Sequence, residues 1–158
     1  MSDKESTATF IPKIPIRSGK AGTLGKILFK RQIPSDVALV HPLVVRVVES
    51  LRGQPFFSSK EESRIALCIE EALSNAVLHG NRKDFKKKVK LQVFLNKKEW
   101  GIVVEDEGQG FDPETLQDPL LPDSLWTESG RGIYLIAHFI DRIEYFANGS
   151  TIVMTENL

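Results

Sequence analysis

Apolar residues recur along this chain with two periods, and each period predicts a different kind of element. Apolar and polar residues alternate most clearly between Val89 and Leu95, the pattern of a half-buried strand. We predict strands at residues 27–33, 89–95, 100–105, 143–146 and 151–155. Apolar residues spaced by three and four predict helices at residues 36–53, 58–78 and 133–140. No segment of the sequence repeats another, so the elements belong to one domain rather than to a repeat array.

Turn-forming residues mark the predicted ends of these elements. Residues 34–36 supply a turn and an N-cap for the first helix, where Pro42 is expected to kink the helix or delay its start. Gly80 permits a left-handed stop at the end of the second helix. Asn148 and Gly149 favour a tight turn between the last two strands.

Two segments show neither the strand pattern nor the helix pattern of apolar residues. Residues 1–25 are rich in Ser, Thr, Gly, Lys and Pro, and we expect them to form a flexible arm in front of a domain at residues 26–158. Residues 112–129 contain three prolines and make a long connection for a compact domain. Because long ordered connections often close over a binding site, we expect a lid at residues 112–129.

Composition narrows the class of protein. The 158 residues are 41% hydrophobic and 27% charged, values typical of a folded globular domain. Twenty-one Lys and Arg residues balance 21 Asp and Glu residues, so no net field draws the chain to nucleic acid or to an anionic membrane. The single cysteine, Cys68, excludes an internal disulfide and is expected to pack in a helix core. No apolar run approaches the length of about 20 residues that spans a membrane, and we expect a cytoplasmic protein.

A basic run follows the second predicted helix. Residues 83–90 contain five lysines and one acid. Such runs usually keep a loop solvated, and we interpret this one in the same way. A docking patch for a partner is the alternative.

The second predicted helix carries the first candidate site. Glu71 and Asn75 are four residues apart, so they share a helix face and can reach one bound object. Their face borders Leu67, Cys68 and Leu78, and a carboxylate beside apolar surface can have its pKa adjusted for general-base work. A neighbouring amide oxygen is a hard ligand suited to Mg²⁺. The alternative is a solvated helix edge.

The second candidate site follows the predicted strand at residues 100–105. Asp106 stands at the strand end, and Gly108 and Gly110 permit close approach of the backbone to a ligand. The carboxylate can accept a hydrogen bond from an exocyclic amine such as adenine N6, and guanine, with a carbonyl there, is expected to bind poorly. Pro113 stands where a dinucleotide-binding fingerprint needs a glycine. An ordinary acidic hairpin loop is the alternative.

The third candidate site precedes the last predicted helix. Gly130 and Gly132 flank Arg131 in a glycine-rich turn that is expected to open the helix at Ile133. Free backbone N–H groups at a helix N-terminus are suited to binding phosphate. The alternative is a plain loop.

The three sites together resemble a known family. The N, G1 and G2 boxes of the GHKL (Bergerat-fold) ATPases are similar in order and spacing to three segments of this chain: Glu71-x-x-x-Asn75, Asp106-x-Gly108-x-Gly110-Phe111 and Gly130-x-Gly132-Ile133. The resemblance covers about residues 25–156. It is closest to the branch of anti-sigma factor serine/threonine protein kinases, because residues 71–81 resemble its extended N box and residues 130–136 its G2 box.

The resemblance implies a fold and a set of residue roles. The family fold is a two-layer α/β sandwich, in which helices cover one face of a mixed, mainly antiparallel sheet and ATP and Mg²⁺ lie between helices and a lid. By position, Glu71 resembles the catalytic base, Asn75 the Mg²⁺ ligand and Asp106 the adenine-binding acid. For His79, a structural role at the helix end is the alternative. The other residues that the resemblance brings to the ATP site are His79, Gly108, Gly110, Gly130, Arg131, Gly132, Ile133 and Thr151.

The resemblance also implies a reaction and partners. The chain is expected to transfer the γ-phosphoryl group of ATP to a serine or threonine of a STAS-type anti-sigma-factor antagonist, to sequester a sigma factor, and to form a homodimer. The alternatives are a non-catalytic ATP-binding module that sequesters a regulatory partner and an accessory ATPase domain of a larger complex. Because a pure binder needs no base, the presence of Glu71 favours the kinase.

Overall fold

The structure, a computed structural model, describes residues 14–110 and 128–158. Within those residues, one antiparallel sheet of five strands packs against three α-helices. The strands are β1 (Lys26–Pro34), β2 (Lys88–Leu95), β3 (Glu99–Glu105), β4 (Arg142–Phe146) and β5 (Thr151–Asn157), in the order β1-β2-β3-β5-β4. The helices are α1 (Val40–Leu51), α2 (Glu62–Asn75) and α3 (Glu128–Phe139). This is the two-layer sandwich that the resemblance implies.

Apolar and polar residues alternate along the strands, so one face of the sheet is apolar and forms one side of the core. Four buried residues lie side by side across β2, β3, β5 and β4, namely Leu91, Val104, Ile152 and Tyr145. Because side chains alternate between the two faces of a sheet, residues two positions along face the same way. The parallel row on this face consists of Val93, Ile102, Met154 and Ile143.

The central helix of the second layer is α2. It packs against α1 and against α3, and Ile65, Ile69 and Leu73 bury its core stripe completely. Cys68 is buried in the same core, which confirms the predicted packing role. Since this stripe occupies only one side of α2, an edge of the helix remains outside the core. Among the described residues, no helix is long and apolar enough to cross a membrane.

The opposite face of the sheet carries a smaller apolar cluster. Phe94, Val103 and Val153 are buried there, and Ala21 and Leu24 pack against them. The chain before β1 therefore covers part of the face that the helices leave open.

Backbone hydrogen bonds also attach residues 15–19 to β4. The Arg17 N–H donates to the Tyr145 carbonyl oxygen at 2.9 Å, and the Tyr145 N–H donates to the Pro15 carbonyl oxygen at 2.9 Å. Ile16 forms an isolated parallel bridge with Tyr145, outside the five antiparallel strands. These residues fall in the segment expected to be an arm, of which residues 1–13 lie outside the described part of the chain. The domain boundary at residue 25 stays a prediction.

The start of α1 shows how a helix accommodates Pro42. A 3-10 turn at Val37–Leu39, capped by the Asp36 carboxylate accepting from the Ala38 N–H at 2.9 Å, precedes α1. Pro42 therefore lies in the first turn of α1, where its missing N–H would have no partner within the helix. The predicted delay of the helix is confirmed.

Both ends of α2 differ from the prediction. The helix begins at Glu62 rather than at residue 58, because Ser58 enters a turn in which its N–H donates to Oε2 of Glu61 at 3.1 Å. At the other end, the left-handed conformations belong to Arg82 (φ 52°) and Lys83 (φ 58°) rather than to Gly80, so the predicted left-handed stop is wrong. The chain instead continues from α2 into a π-helical turn that ends at residue 80.

We predict that Leu73→Ala lowers the free energy of unfolding by about 3 kcal/mol, because truncating a fully buried leucine removes apolar contacts and leaves a cavity. Urea unfolding followed by circular dichroism measures the change. Val45→Ala on the exposed side of α1 is the matched control and should stay within about 0.5 kcal/mol of the unmutated protein. Equal effects of the two substitutions would contradict the assigned core.

Candidate functional site

The first part of the site lies where α3 approaches α2. Glu71 and Asn75 are half-buried on the edge of α2 that the core leaves free. Gly132 of α3 lies against both: a Cβ atom there would collide with Oε2 of Glu71 and would lie 3.5 Å from Nδ2 of Asn75. The absence of a side chain at Gly132 therefore allows α3 to approach α2 this closely. The predicted sharing of one face by Glu71 and Asn75 is confirmed.

The start of α3 differs from the prediction. The helix begins at Glu128, so Gly130, Arg131 and Gly132 lie in its first turns rather than in a turn before it. Glycine is a poor helix former, but Ile133 and Ile136 are buried and hold this segment against the protein. Packing therefore outweighs the local preference for a turn. The N–H groups near Gly130 still belong to the first turn, where helices leave them without partners inside the helix.

The π-helical turn Ala76–Gly80 leads from α2 to the second part of the site. Its last bond runs from the Asn81 N–H to the Ala76 carbonyl oxygen at 2.8 Å. Gly80 meets the carboxyl group of Asp106, with which a Cβ atom at residue 80 would collide. Gly80 is thus required for this close approach and not for a positive φ. His79 is exposed on the same turn.

Asp106 sits in a confined position at the end of β3. Its N–H donates to the Ser150 carbonyl oxygen at 2.9 Å, and its Oδ1 accepts from the Gly108 N–H at 2.8 Å. Burial raises the pKa of Asp106 to about 6, although the hydrogen bond from Gly108 favours the charged form. The carboxylate is therefore mostly ionised near neutral pH but is poorly compensated by the protein.

The two glycines that follow Asp106 serve close backbone packing. A Cβ atom at Gly108 would collide with the Gly80 carbonyl oxygen, and one at Gly110, where φ is 76°, would collide with the Asn148 carbonyl oxygen. Thr151 is buried at the start of β5, directly opposite Glu105 of β3. Thr151 and Gly108 thus lie at the same end of β3 as Asp106.

Asn81 is a buried residue of this site that the motif analysis did not single out. Its Nδ2 donates to Oγ of Ser35 at 2.7 Å and to the Lys88 carbonyl oxygen at 2.9 Å, and its Oδ1 accepts from the Glu107 N–H at 2.8 Å. One side chain therefore joins the end of α2 to the segment that follows Asp106. In the sequence Asn81 is the last residue of the segment that resembles the extended N box, but the resemblance gave it no role and the sequence does not reveal its burial.

A second polar network fixes the other end of α3. Arg64 of α2 donates to the Phe139 carbonyl oxygen at 2.7 Å and to Glu61 at 2.9 Å, and it pairs with Glu156 of β5. Burial raises the pKa of Glu156, and the bond from Arg64 opposes that rise. Because Arg64 binds the last turn of α3 to α2 and to the sheet, it helps to set the position of Gly132.

The lid expected at residues 112–129 falls almost entirely outside the described residues, as does Phe111. Of that segment, residues 128 and 129 form the start of α3. The lid stays a prediction.

The chain is similar to known proteins over most of the residues described above. A family model for the histidine kinase-like ATPase domain matches residues 33–156, a range that includes all three motifs. The anti-sigma F factor of Oceanobacillus iheyensis is 30% identical over 103 residues, which are 62% of this chain and 70% of that protein. The anti-sigma F factor of Bacillus thuringiensis is 30% identical over 104 residues, 63% of this chain and 71% of that protein.

We predict that Asp106→Asn stabilises the protein near neutral pH but not in acid. Because the pKa of Asp106 is raised in the folded state, the protonated carboxyl favours folding below about pH 4, and this contribution is lost as the pH rises through about 6. Asparagine does not ionise, so the variant should be more stable than the unmutated protein by about 1 kcal/mol at pH 7, after allowance for solvent screening.

Urea unfolding at acid and at neutral pH measures this difference. Glu49→Gln, which replaces an exposed acid on α1, is the control. A gain from Asp106→Asn that is equal at both pH values would show that the ionisation of Asp106 does not cause it.

Proposed function

Because the chain belongs to the histidine kinase-like ATPase domain family, we propose that it is an ATP-dependent serine/threonine protein kinase and an anti-sigma regulator. The family match spans the three boxes, and an ATPase domain binds ATP, which supports the proposal. One observation carries the proposal: Glu71 and Asn75 of α2 meet Gly132 of α3 at the start of that helix. This arrangement places a carboxylate and an amide beside N–H groups suited to phosphate.

We assign the adenine to Asp106 and the phosphates to the N–H groups at the start of α3, beside Glu71. Glu71 and Gly80 are nine positions apart, a rise of about 13 Å along the helix, which suits an extended nucleoside triphosphate. A carboxylate at Asp106 accepts a hydrogen bond from adenine N6 and repels the carbonyl of guanine. The other residues assigned to the ATP site are His79, Gly108, Gly110, Gly130, Arg131, Gly132, Ile133 and Thr151.

Asn75 is the proposed protein ligand for Mg²⁺. The described residues contain no group of three or more His, Cys, Asp and Glu side chains able to hold a metal ion. Mg²⁺ commonly takes few protein ligands and completes its shell with water and phosphate oxygens, so an amide oxygen beside the Glu71 carboxylate fits its chemistry. When bound, Mg²⁺ neutralises charge on the phosphates.

In the proposed reaction, the substrate hydroxyl oxygen forms a bond to the γ-phosphorus of ATP. The bond between that phosphorus and the β,γ-bridging oxygen breaks, and ADP leaves with its electron pair. Glu71 orients the hydroxyl and accepts its proton, a contribution of about 10² to 10⁴-fold in rate. N–H groups in the first turn of α3 stabilise the charge on the transferred group.

The names of the relatives support the proposed partners. Two proteins that are 30% identical to this chain are anti-sigma F factors. We therefore propose that the chain sequesters a sigma factor in the cytoplasm, forms a homodimer, and phosphorylates a STAS-type antagonist. The chain releases the sigma factor when the unphosphorylated antagonist competes with it for binding. This switch requires that the chain's affinity differ between the two partners or between its nucleotide states.

We predict that Glu71→Ala abolishes phosphate transfer and preserves ATP binding, because the substitution removes the base but leaves the adenine site intact. Intact-mass spectrometry of a STAS-type antagonist from the same genome, incubated with the protein and Mg-ATP, measures the transfer. Glu70→Ala, the neighbouring acid on α2, is the matched control and should still transfer phosphate.

Two outcomes would count against this assignment. Transfer by Glu71→Ala at the unmutated rate would remove Glu71 from the catalytic role. ATP binding without transfer by the unmutated protein would favour the non-catalytic binding module.

We predict that Asp106→Asn weakens ATP binding by about 10-fold to 100-fold, because a neutral amide is a weaker acceptor for adenine N6 than a carboxylate. Isothermal titration calorimetry with ATP measures the change. Since this variant should be at least as stable as the unmutated protein at pH 7, lost binding would not reflect unfolding. Unchanged affinity would contradict the assignment of adenine to Asp106.

A further inference from the structure

The loop between the π-helical turn and β2 combines charge with an exposed aromatic side chain. This basic loop, defined as residues 82–87 with Lys88 at the start of β2, carries five cationic side chains and a single acid, Asp84. Phe85 at its centre is 67% exposed, more than any other large apolar side chain among the described residues. Aromatic side chains are enriched at the centre of protein interfaces and polar side chains surround them at the rim, so this combination suits a surface that anchors a protein partner.

The basic loop is held in a defined conformation. The Lys83 N–H donates to the Val77 carbonyl oxygen at 2.8 Å, and the Lys87 N–H donates to the Asp84 carbonyl oxygen at 2.9 Å. The Asp84 carboxylate accepts from the Lys86 N–H at 3.0 Å, so the loop's acid is engaged with its own backbone. Because the backbone is already ordered, presenting Phe85 to a partner costs little further conformational entropy.

The basic loop also borders the proposed ATP site. It begins two residues after Gly80, which contacts Asp106, and the positive charge of Lys87 is among the effects that oppose the burial-driven rise in the pKa of Asp106. A standard protein interface covers about 800 Å² on each partner, which corresponds to a radius of roughly 15 Å. A protein whose hydroxyl reaches Glu71 can therefore touch this loop at the edge of its footprint.

We propose that the basic loop docks an acidic surface of the protein substrate, with Phe85 inserted into an apolar cleft of that surface. The inference rests on the proposed kinase function and adds the side of the chain from which the substrate binds. Positive charge around the ring complements acidic side chains of the partner and speeds its association. The balanced charge of the whole chain favours a protein partner over nucleic acid, whose phosphates attract a broad positive field.

Kinetics of phosphate transfer to the purified STAS-type antagonist test the docking surface. Phe85→Ala should raise the KM for the antagonist about tenfold while leaving kcat and the KM for ATP unchanged. Charge reversal by Lys83→Glu with Lys86→Glu should raise the same KM and reverse its dependence on ionic strength. The matched controls are Val45→Ala, another exposed apolar residue, and Lys97→Glu with Lys98→Glu, about 25 Å away at the far end of β2.

The outcomes separate this inference from the proposed function. Absence of transfer by the unmutated protein overturns the kinase, and the docking role with it. If the unmutated protein transfers phosphate and Phe85→Ala has the same antagonist KM as Val45→Ala, the docking surface alone is overturned. If Phe85→Ala leaves the antagonist KM unchanged but abolishes binding to phosphatidylserine vesicles or to single-stranded RNA, the loop serves a different class of partner and the inference is wrong.

Discussion

The close approach of two glycines to polar side chains of other segments is the constraint on which the site depends. At Gly132 the first turns of α3 come against Glu71 and Asn75 of α2, and at Gly80 the π-helical turn comes against the carboxyl of Asp106. A β-carbon at either position would occupy the space of a side chain that the site uses. The two halves of the site lie on one continuous helical run, α2 and the π-helical turn, so the backbone of that run sets their separation.

Helix α2 links the geometry of the site to the stability of the fold. One side of α2 is locked into the core by Ile65, Ile69 and Leu73, and an adjacent edge presents Glu71 and Asn75. Because both sets of residues share one rigid helix, the positions of the polar pair follow from the packing of the apolar stripe. Changes in the core that shift α2 would also move the two side chains that we assign to the phosphate end of ATP.

Buried polar side chains join segments of the chain that the apolar core does not hold together. Asn81 joins the end of α2 to the segment after Asp106, and Arg64 joins α2 to the last turn of α3 and to β5. Asp106 differs from them, because burial disfavours its charged form and a single backbone N–H bond from Gly108 opposes that effect. In the proposed function, the amine of adenine supplies the missing hydrogen bond, so the folded protein holds a destabilised carboxylate ready for its ligand.

The sequence by itself determined the element types, and it supplied the motifs from which we propose the chemistry of the site. Alternation at residues 89–95 predicts β2, and the spacing of Glu71 and Asn75 predicts their common face, because both depend only on local periodicity. Turn residues gave mixed results: Asn148 and Gly149 lie with positive φ at the predicted turn, whereas Gly80 does not form the predicted left-handed stop. Only the tertiary structure decided why Gly80 and Gly132 are glycines, that α3 begins at Glu128, and that Asn81 and Arg64 support the site. Each of these depends on contacts between residues far apart in the chain, and such contacts leave no periodic pattern in the sequence.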